Sequence, residues 1–185
     1  MTSTPEHQHR VYLHAATKDE GKGIIIHYGV ADSPFGKCFI ALTPTGICSL
    51  QFTEDKEDLA LSVLRQKWSQ AIFRYDKHAA SRSLQSIFSF SQNTNFQLCV
   101  QATPFQLNVW KSLTEVGFGE LISYESLACL SGHPRAVRAT ASAVARNPIA
   151  YLIPCHRVIH KNGDTGAYRW GKELKKQLLD WEANY

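Results

Sequence analysis

At 185 residues, 44% of them hydrophobic, the chain is long enough to bury the core of one moderate domain or two small ones, and no stretch is apolar for long enough to cross a bilayer. Five cysteines (Cys38, Cys48, Cys99, Cys129 and Cys155) are odd in number and never spaced Cys-x-x-Cys, which indicates neither a disulfide framework nor a zinc ribbon and makes reduced thiols the default. The formal charge of +4 is modest but uneven: between residues 130 and 176 nine Lys and Arg face only Asp164 and Glu173, a concentration suited to an anionic partner, most simply a nucleic-acid backbone, or to a solvated basic face.

Residues 1–22 mix His, Gln, Thr, Lys and Glu without apolar periodicity and read as a frayed terminal arm. They lack the apolar core of a signal peptide, so an intracellular protein is expected. From Gly23 come Ile24–Tyr28, Cys38–Leu42 and Ile47–Phe52, β-rich runs separated by Gly, Pro and Thr, with Thr43-Pro44-Thr45-Gly46 as a hairpin turn. A helix is expected from about Asp55 with Leu59, Val63 and Leu64 on its apolar side, another from about Ser81 with Leu84, Ile87 and Phe88, and a strand over Phe96–Val100. This α/β unit, residues 23–101, carries no catalytic motif, and His27 reads as a satisfied polar residue.

Composition changes at Thr103, and a second domain is expected over 102–185. Thr103-Pro104-Phe105-Gln106 supplies an N-cap, proline at the first helical position and a capping-box glutamine. The helix they start carries Phe105, Val109 and Leu113 in one stripe with Trp110 beside it. Ser123 caps a second helix, Tyr124–Leu130, and Ser131-Gly132-His133-Pro134 turns into a third from about Pro134 to Arg146, which is helix-turn-helix spacing. On that third helix Arg135, Arg138, Ser142 and Arg146 share one sector, Val137, Ala141 and Val144 the other, and alanines fill the flanks. A basic face on a small-residue helix after such a turn points to nucleic acid.

Asn147-Pro148 ends the helix, and Ile149–Ile153 runs apolar into Pro154-Cys155-His156-Arg157-Val158. A thiol flanked by an imidazole and a guanidinium is either a buried small hydrophobe or a nucleophile whose thiolate those two cations favour. A metal site on Cys155, His156 and His160 lacks a fourth ligand at usable spacing. A final helix carries Leu174, Leu178 and Trp181 on its stripe with Glu182 at the border.

These motifs together resemble the O6-alkylguanine-DNA alkyltransferases. The resemblance rests on Phe105-Gln106-x-x-Val109-Trp110, Ser123-Tyr124-x-x-Leu127-Ala128, Arg138-Ala139, Asn147-Pro148, Pro154-Cys155-His156-Arg157-Val158 and Gly166 to Gly171. It is close over about 102–182 and looser from Gly23, and Tyr168-Arg169-Trp170-Gly171 is similar to the transferase domain of the bacterial adaptive-response type. It implies an α+β fold, with a ribonuclease H-like N-terminal domain and a mainly helical C-terminal domain.

The implied activity is DNA repair by irreversible transfer of an alkyl group from O6-alkylguanine, or O4-alkylthymine, to Cys155 in a single turnover, with no cofactor. In that reading His156 takes the thiol proton through a water, Glu182 orients the imidazole and Asn147 holds the helix-to-loop hinge. Arg138 enters the base stack when the nucleotide is flipped out, Tyr124 presses on the target phosphate, and Arg135 and Ser142 share the DNA face. The Val158 carbonyl meets the guanine amino group, and Tyr168, Arg169 and Trp170 line the base pocket. Arg169 offers only its backbone donor to O6, and Trp170, a glycine in some members, narrows the pocket. The expected partner is double-stranded DNA bound through the minor groove by a monomer, with no membrane and no metal. A lesion sensor without a reactive cysteine and a Cys-His hydrolase are the rival readings. A hydrolase would take its histidine from a distant segment, not from the next residue.

Overall fold

The structure, a computed structural model, describes residues 9–17, 21–54, 56–89 and 94–184. The chain divides into two compact units, one formed by residues 10–102 together with 148–150, the other by residues 103–147 and 151–184. The mixed α+β class expected from the sequence is the class observed.

The first unit is a six-stranded mixed sheet with two helices. Its strands are β1 (Arg10–Ala15), β2 (Ile25–Ser33), β3 (Gly36–Thr43), β4 (Gly46–Phe52), β5 (Ile72–Tyr75) and β6 (Asn95–Val100), in the spatial order β1-β6-β4-β3-β2-β5. Strands β2, β3 and β4 form an antiparallel meander, and the remaining pairs are parallel. The expected Thr43–Gly46 hairpin turn is present, with Thr43 Oγ1 donating to the Gly46 carbonyl at 3.0 Å.

Helix α1 (Glu57–Lys67) closes one core, where Ala60, Leu64 and Trp68 pack with Ile26, Phe39, Ala41, Cys48 and Cys99. Helix α2 (Lys77–Ile87) begins earlier than its apolar residues suggest because the Asp76 carboxylate accepts the Ala79 N–H at 2.8 Å. It lies so close to β2 that a Cβ on Gly29 would come within 2.8 Å of the Asp76 carbonyl and 2.9 Å of Ala80 Cβ. His27 lies 3.7 Å from Asp76, a satisfied polar residue as read.

Two expectations change here, and one strand was not anticipated. The arm read over residues 1–22 contains β1, a strand that pairs in register with β6; residues 1–8 and 18–20 lie outside the described residues. Alternation at Arg10–Ala15 is weak because this edge strand buries only Leu13. Edge strand β5 was not legible, since all four of its residues remain exposed or half-buried. On α1, Leu59 is 62% exposed, while Ala60 and Leu64, one turn apart, take the core side. Asp55, the expected helix start, is outside the described residues.

Residues Pro148–Ala150 belong to this sheet unit although they follow the helices of the other. Leu50 donates to the Pro148 carbonyl at 3.1 Å and Ala150 donates back to the Leu50 carbonyl at 2.7 Å, so Ile149 sits as a bridge beside β4.

The second unit is mainly helical: α3 (Pro104–Thr114), α4 (Tyr124–Leu130), α5 (Val137–Ala145) and α6 (Lys172–Ala183), with a two-stranded parallel ladder of β7 (Ile122–Ser123) and β8 (Val158–Ile159). The capping box is complete, Thr103 Oγ1 accepting from Gln106 N at 3.2 Å and Gln106 Oε1 from Thr103 N at 3.1 Å. Trp110 donates its indole N–H to the Ala143 carbonyl at 2.9 Å, which locks α3 against α5. Helices α4 and α5 form the expected helix-turn-helix pair. The second of them starts at Val137, because Pro134 and Arg135 lie in a turn closed by Ala136 N to the His133 carbonyl at 2.9 Å. Its buried side is Thr140, Ala143 and Val144, so Ala143 is a core contact and not a flank, and Val137 and Ala141 are half-buried.

Candidate active site

Everything from Asn147 to Val158 is buried. Tyr151 has a positive φ of 64°, alone in this among the described non-glycine residues. A bulky residue in that region is strained, and it occurs four positions before the thiol, where the chain doubles back. Cys155, His156 and Arg157 then form one 3-10 turn leading into β8.

Cys155 is 5% exposed. The Asn147 side-chain amide donates to Cys155 Sγ at 3.1 Å and to the Ile153 carbonyl at 2.8 Å, so the residue just beyond the C-cap of α5 also holds the thiol and the loop entering it. The expected hinge residue is thus a direct partner of the thiol. His156, fully buried, stacks parallel to Tyr151 with ring centroids 6.2 Å apart and places Nε2 2.8 Å from Glu182 Oε1.

Glu182 is the hub of this network. Its carboxylate also accepts from Arg157 Nη2 at 2.8 Å, from Arg157 Nε at 2.9 Å and from the Gly119 N–H at 3.2 Å. Arg157 donates in addition to the Val116 carbonyl and lies over the Phe118 ring. Glu182 is therefore a core residue, 3% exposed, and not a border one. The buried side of α6 reads Lys175, Leu178, Glu182, with Leu174 and Trp181 half-buried.

The electrostatics follow from these contacts. Burial works against ionised Glu182, but the hydrogen bonds and charges of His156 and Arg157 outweigh it and hold the carboxyl at about 2. Burial pushes the His156 imidazole below its ordinary value, against the pull of Glu182, so the ring is neutral with its proton on Nε2 facing the carboxylate. Nδ1 is left as the basic nitrogen, buried and with no hydrogen bond among the described residues.

The Cys155 thiol is pushed up to about 11 by burial, against the Asn147 amide, the Lys175 charge, the backbone and the Tyr168 side chain. This corrects the expectation that His156 and Arg157 lower it: both turn towards Glu182. Lys175 was not anticipated at all. Its ammonium, 1% exposed, donates to the Val158 carbonyl at 2.6 Å and to the Thr165 carbonyl. The signal available was its position on α6, one and two turns before Leu178 and Glu182.

The 163–171 loop supplies the remaining residues of this cluster. Arg169 donates to the Asn147 carbonyl at 3.1 Å and lies over the Trp170 ring, which meets Tyr168 edge-on at 5.3 Å. Gly166 has a φ of 68°, which a side chain rarely adopts, and a Cβ there would come within 2.8 Å of His160 Nε2 and displace that ring. The His160 ring in turn lies 5.2 Å from the half-buried Tyr124, whose phenol is pushed up by burial and by Cys155. Arg135, Arg138 and Ser142 are exposed and make no hydrogen bond to the thiol cluster. Among the described residues no group of three or more His, Cys, Asp or Glu is arranged to hold a metal ion, and no helix is long and apolar enough to cross a membrane.

A mixed-sheet unit joined to a helix-turn-helix unit that buries a thiol, a histidine and a glutamate is the architecture of a two-domain protein built around a protected cysteine. A model of the 6-O-methylguanine DNA methyltransferase ribonuclease-like domain matches residues 26–102, and one of the DNA binding domain of the same proteins matches residues 104–184. The chain belongs to the 6-O-methylguanine DNA methyltransferase family. It is similar to the methylated-DNA--protein-cysteine methyltransferase of Methanosarcina barkeri, 35% identical over 86% of this chain and 98% of that one. It is also similar to the bifunctional transcriptional activator/DNA repair enzyme Ada of Escherichia coli, 36% identical over 88% of this chain. The chain spans about half, 47%, of the length of that protein. The crystal structure of Mycobacterium tuberculosis OGT in complex with DNA superposes with a TM-score of 0.69 at 30% identity, covering 85% of this chain and 93% of that one.

Proposed function

We propose that this chain repairs alkylated DNA by transferring the alkyl group from O6 of guanine to its own Cys155, once per molecule. The observation that carries the reading is the single cluster in which Asn147 holds the sulfur of Cys155 while His156 is fixed by Glu182 with its basic nitrogen unengaged. A buried thiol is stable as a thiol and needs a base to ionise it at the moment of reaction. His156 Nδ1 is that base, taking the proton through a water, and the imidazolium that results is stabilised by Glu182. The sulfur then attacks the alkyl carbon in line. An S–C bond forms as the C–O6 bond breaks, and guanine leaves carrying the bonding pair and recovers a proton. Tyr124 donates to the guanine, and the Val158 carbonyl accepts from its amino group.

Duplex DNA shields O6, so the nucleotide must first leave the stack. Arg138, exposed on α5 beside small residues, takes its place, and Arg135 and Ser142 lie against the backbone of the minor groove. Tyr168, Arg169 and Trp170 border the flipped base. The product thioether offers water no ready leaving group, so the protein is consumed by its reaction; in this reading it works inside the cell as a DNA-associated monomer.

Incubation with a duplex oligonucleotide containing O6-methylguanine, followed by intact and peptide mass measurement, tests this. Product is expected to stop at one equivalent, with one methyl on the Cys155 peptide and none in Cys155→Ala. Turnover beyond one equivalent would indicate a hydrolase, and binding without a covalent mass a lesion sensor; either rejects the proposal.

A further inference from the structure

Arg169 and Trp170 are the two central residues of a turn that the Gly171 N–H closes on the Tyr168 carbonyl at 3.0 Å. Glycines in left-handed backbone stand on both sides of it, Gly166 at φ 68° and Gly171 at φ 102°. A short turn between two such glycines has little in its own backbone to fix where its tip lies. The Arg169 side chain supplies a fixed point. It donates from Nη1 to the Asn147 carbonyl at 3.1 Å, and the same guanidinium lies over the Trp170 ring, 5.5 Å from its centroid. A planar guanidinium donates from its edge and stacks with its face at once, which an ammonium cannot do. The acceptor suits a cation, because Asn147 follows the C-cap Arg146 of α5, at the negative end of that helix. Tyr168 meets the same indole edge-on at 5.3 Å, so Trp170 moves only with the turn as a whole. Asn147 is also the residue whose side chain donates to Cys155 Sγ at 3.1 Å. Trp170 and the sulfur therefore hang from one residue, the indole through its carbonyl and the thiol through its amide.

Resting on the alkyl-transfer reading above, we propose that the Arg169 side chain determines which alkyl groups Cys155 accepts, by latching the Tyr168–Gly171 turn to Asn147 and so fixing how far the Trp170 indole stands from the sulfur. It acts through Trp170 and Asn147, which makes it a positioning residue for alkyl size. With the latch closed the indole is held as a wall and small groups are favoured. With it open the turn swings on its two glycines and larger groups fit. Arg169 is exposed, and in solvent a stack and one charge-assisted hydrogen bond of this kind are together worth about a factor of ten in an equilibrium.

The test measures the rates at which Cys155 takes benzyl from free O6-benzylguanine and methyl from free O6-methylguanine, so that affinity for DNA does not enter. Peptide mass mapping separates Cys155 from the other four cysteines. In Arg169→Ala the benzyl-to-methyl ratio should rise by about five- to tenfold, with unchanged circular dichroism. Arg169→Lys keeps the charge but not the planar fork, and its ratio should rise by at least about threefold. Trp170→Gly should raise the ratio as well. Adding Arg169→Ala to it should change the ratio by less than about twofold, because without an indole the latch has nothing to place.

A parental ratio in Arg169→Ala overturns the proposal, as does a parental ratio in Arg169→Lys, which would make charge alone the cause. Effects of Arg169→Ala and Trp170→Gly that simply multiply in the double variant overturn it too, since the two side chains would then act separately. If the alanine variant does not fold, the lysine variant carries the same comparisons; if neither folds, the arginine is structural and the proposal falls. A parent protein that takes no methyl from DNA rejects the proposed function, and the latch is then judged by the Cys155 rates with iodoacetamide and N-benzyl iodoacetamide. A large-to-small ratio that rises in Arg169→Ala leaves the latch standing, and an unchanged one removes it with the function.

Discussion

Glu182→Gln keeps the shape of the side chain and removes one buried negative charge, and its cost can be worked from the contacts. The Arg157 guanidinium, 6% exposed, now donates to a neutral amide oxygen at best, and one carboxylate oxygen that accepted hydrogen bonds becomes an NH2 facing donors. Breaking a buried ion pair from one side typically costs about 3 to 5 kcal/mol, because the remaining charge stays desolvated and unpaired. Against a total stability on the order of 5 to 15 kcal/mol, that is a large share. Urea denaturation at pH 7 followed by tryptophan fluorescence measures it, since Trp110, Trp170 and Trp181 all lie in the helical unit. Adding Arg157→Met removes the orphaned charge and leaves the glutamine oxygen to accept from His156, so the double variant should recover at least about 2 kcal/mol of the loss. A loss below about 1 kcal/mol in Glu182→Gln, or a double variant no more stable than the single one, would refute the view that Glu182 is held as an ion by Arg157.

The same network sets an acid limit. The Glu182 carboxyl is lowered from 4.5 to about 2, so its contribution is complete above about pH 4.5 and is lost as the pH falls towards 2. That is roughly 3 kcal/mol at most. His156, lowered by burial from its ordinary 6.5, adds a loss that begins as the pH drops through that value, because the unfolded chain takes up the proton first. Denaturation midpoints below about pH 4.5 should therefore show a carboxylate-linked fall in the parent that the Glu182→Gln, Arg157→Met variant lacks. Arg138→Ala should slow repair of O6-methylguanine in a duplex far more than reaction with the free base, because unstacking costs a few kcal/mol only in the duplex; equal slowing on both substrates would remove the residue from base flipping. Trp170→Gly should raise the benzyl-to-methyl rate ratio, and an unchanged ratio would place the indole outside the alkyl pocket.

Much of the helical unit was legible because its signals are local. A capping box, a serine cap, helix-breaking Asn147-Pro148 and the Cys155 hexapeptide each act within a few residues, and they placed the Cys155 thiol, the helix-turn-helix and the exposed Arg138 without reference to the rest of the chain. Edge strands β1 and β5 were not legible, because an edge strand buries too little of either face to alternate clearly and is stabilised by pairing with a strand distant in sequence.

The electrostatic roles at the site were likewise undetermined by the sequence. Adjacency suggested that His156 and Arg157 serve Cys155, but a 3-10 turn sends successive side chains in different directions, and the one carboxylate they can both reach arrives on α6. The same helix turns Lys175 inward beside Leu178, where a linear reading places a solvated lysine. The sequence by itself determined which residues are chemically capable. Only the tertiary structure decided which charge each of them meets, because Coulomb interactions depend on distance and burial and not on separation along the chain.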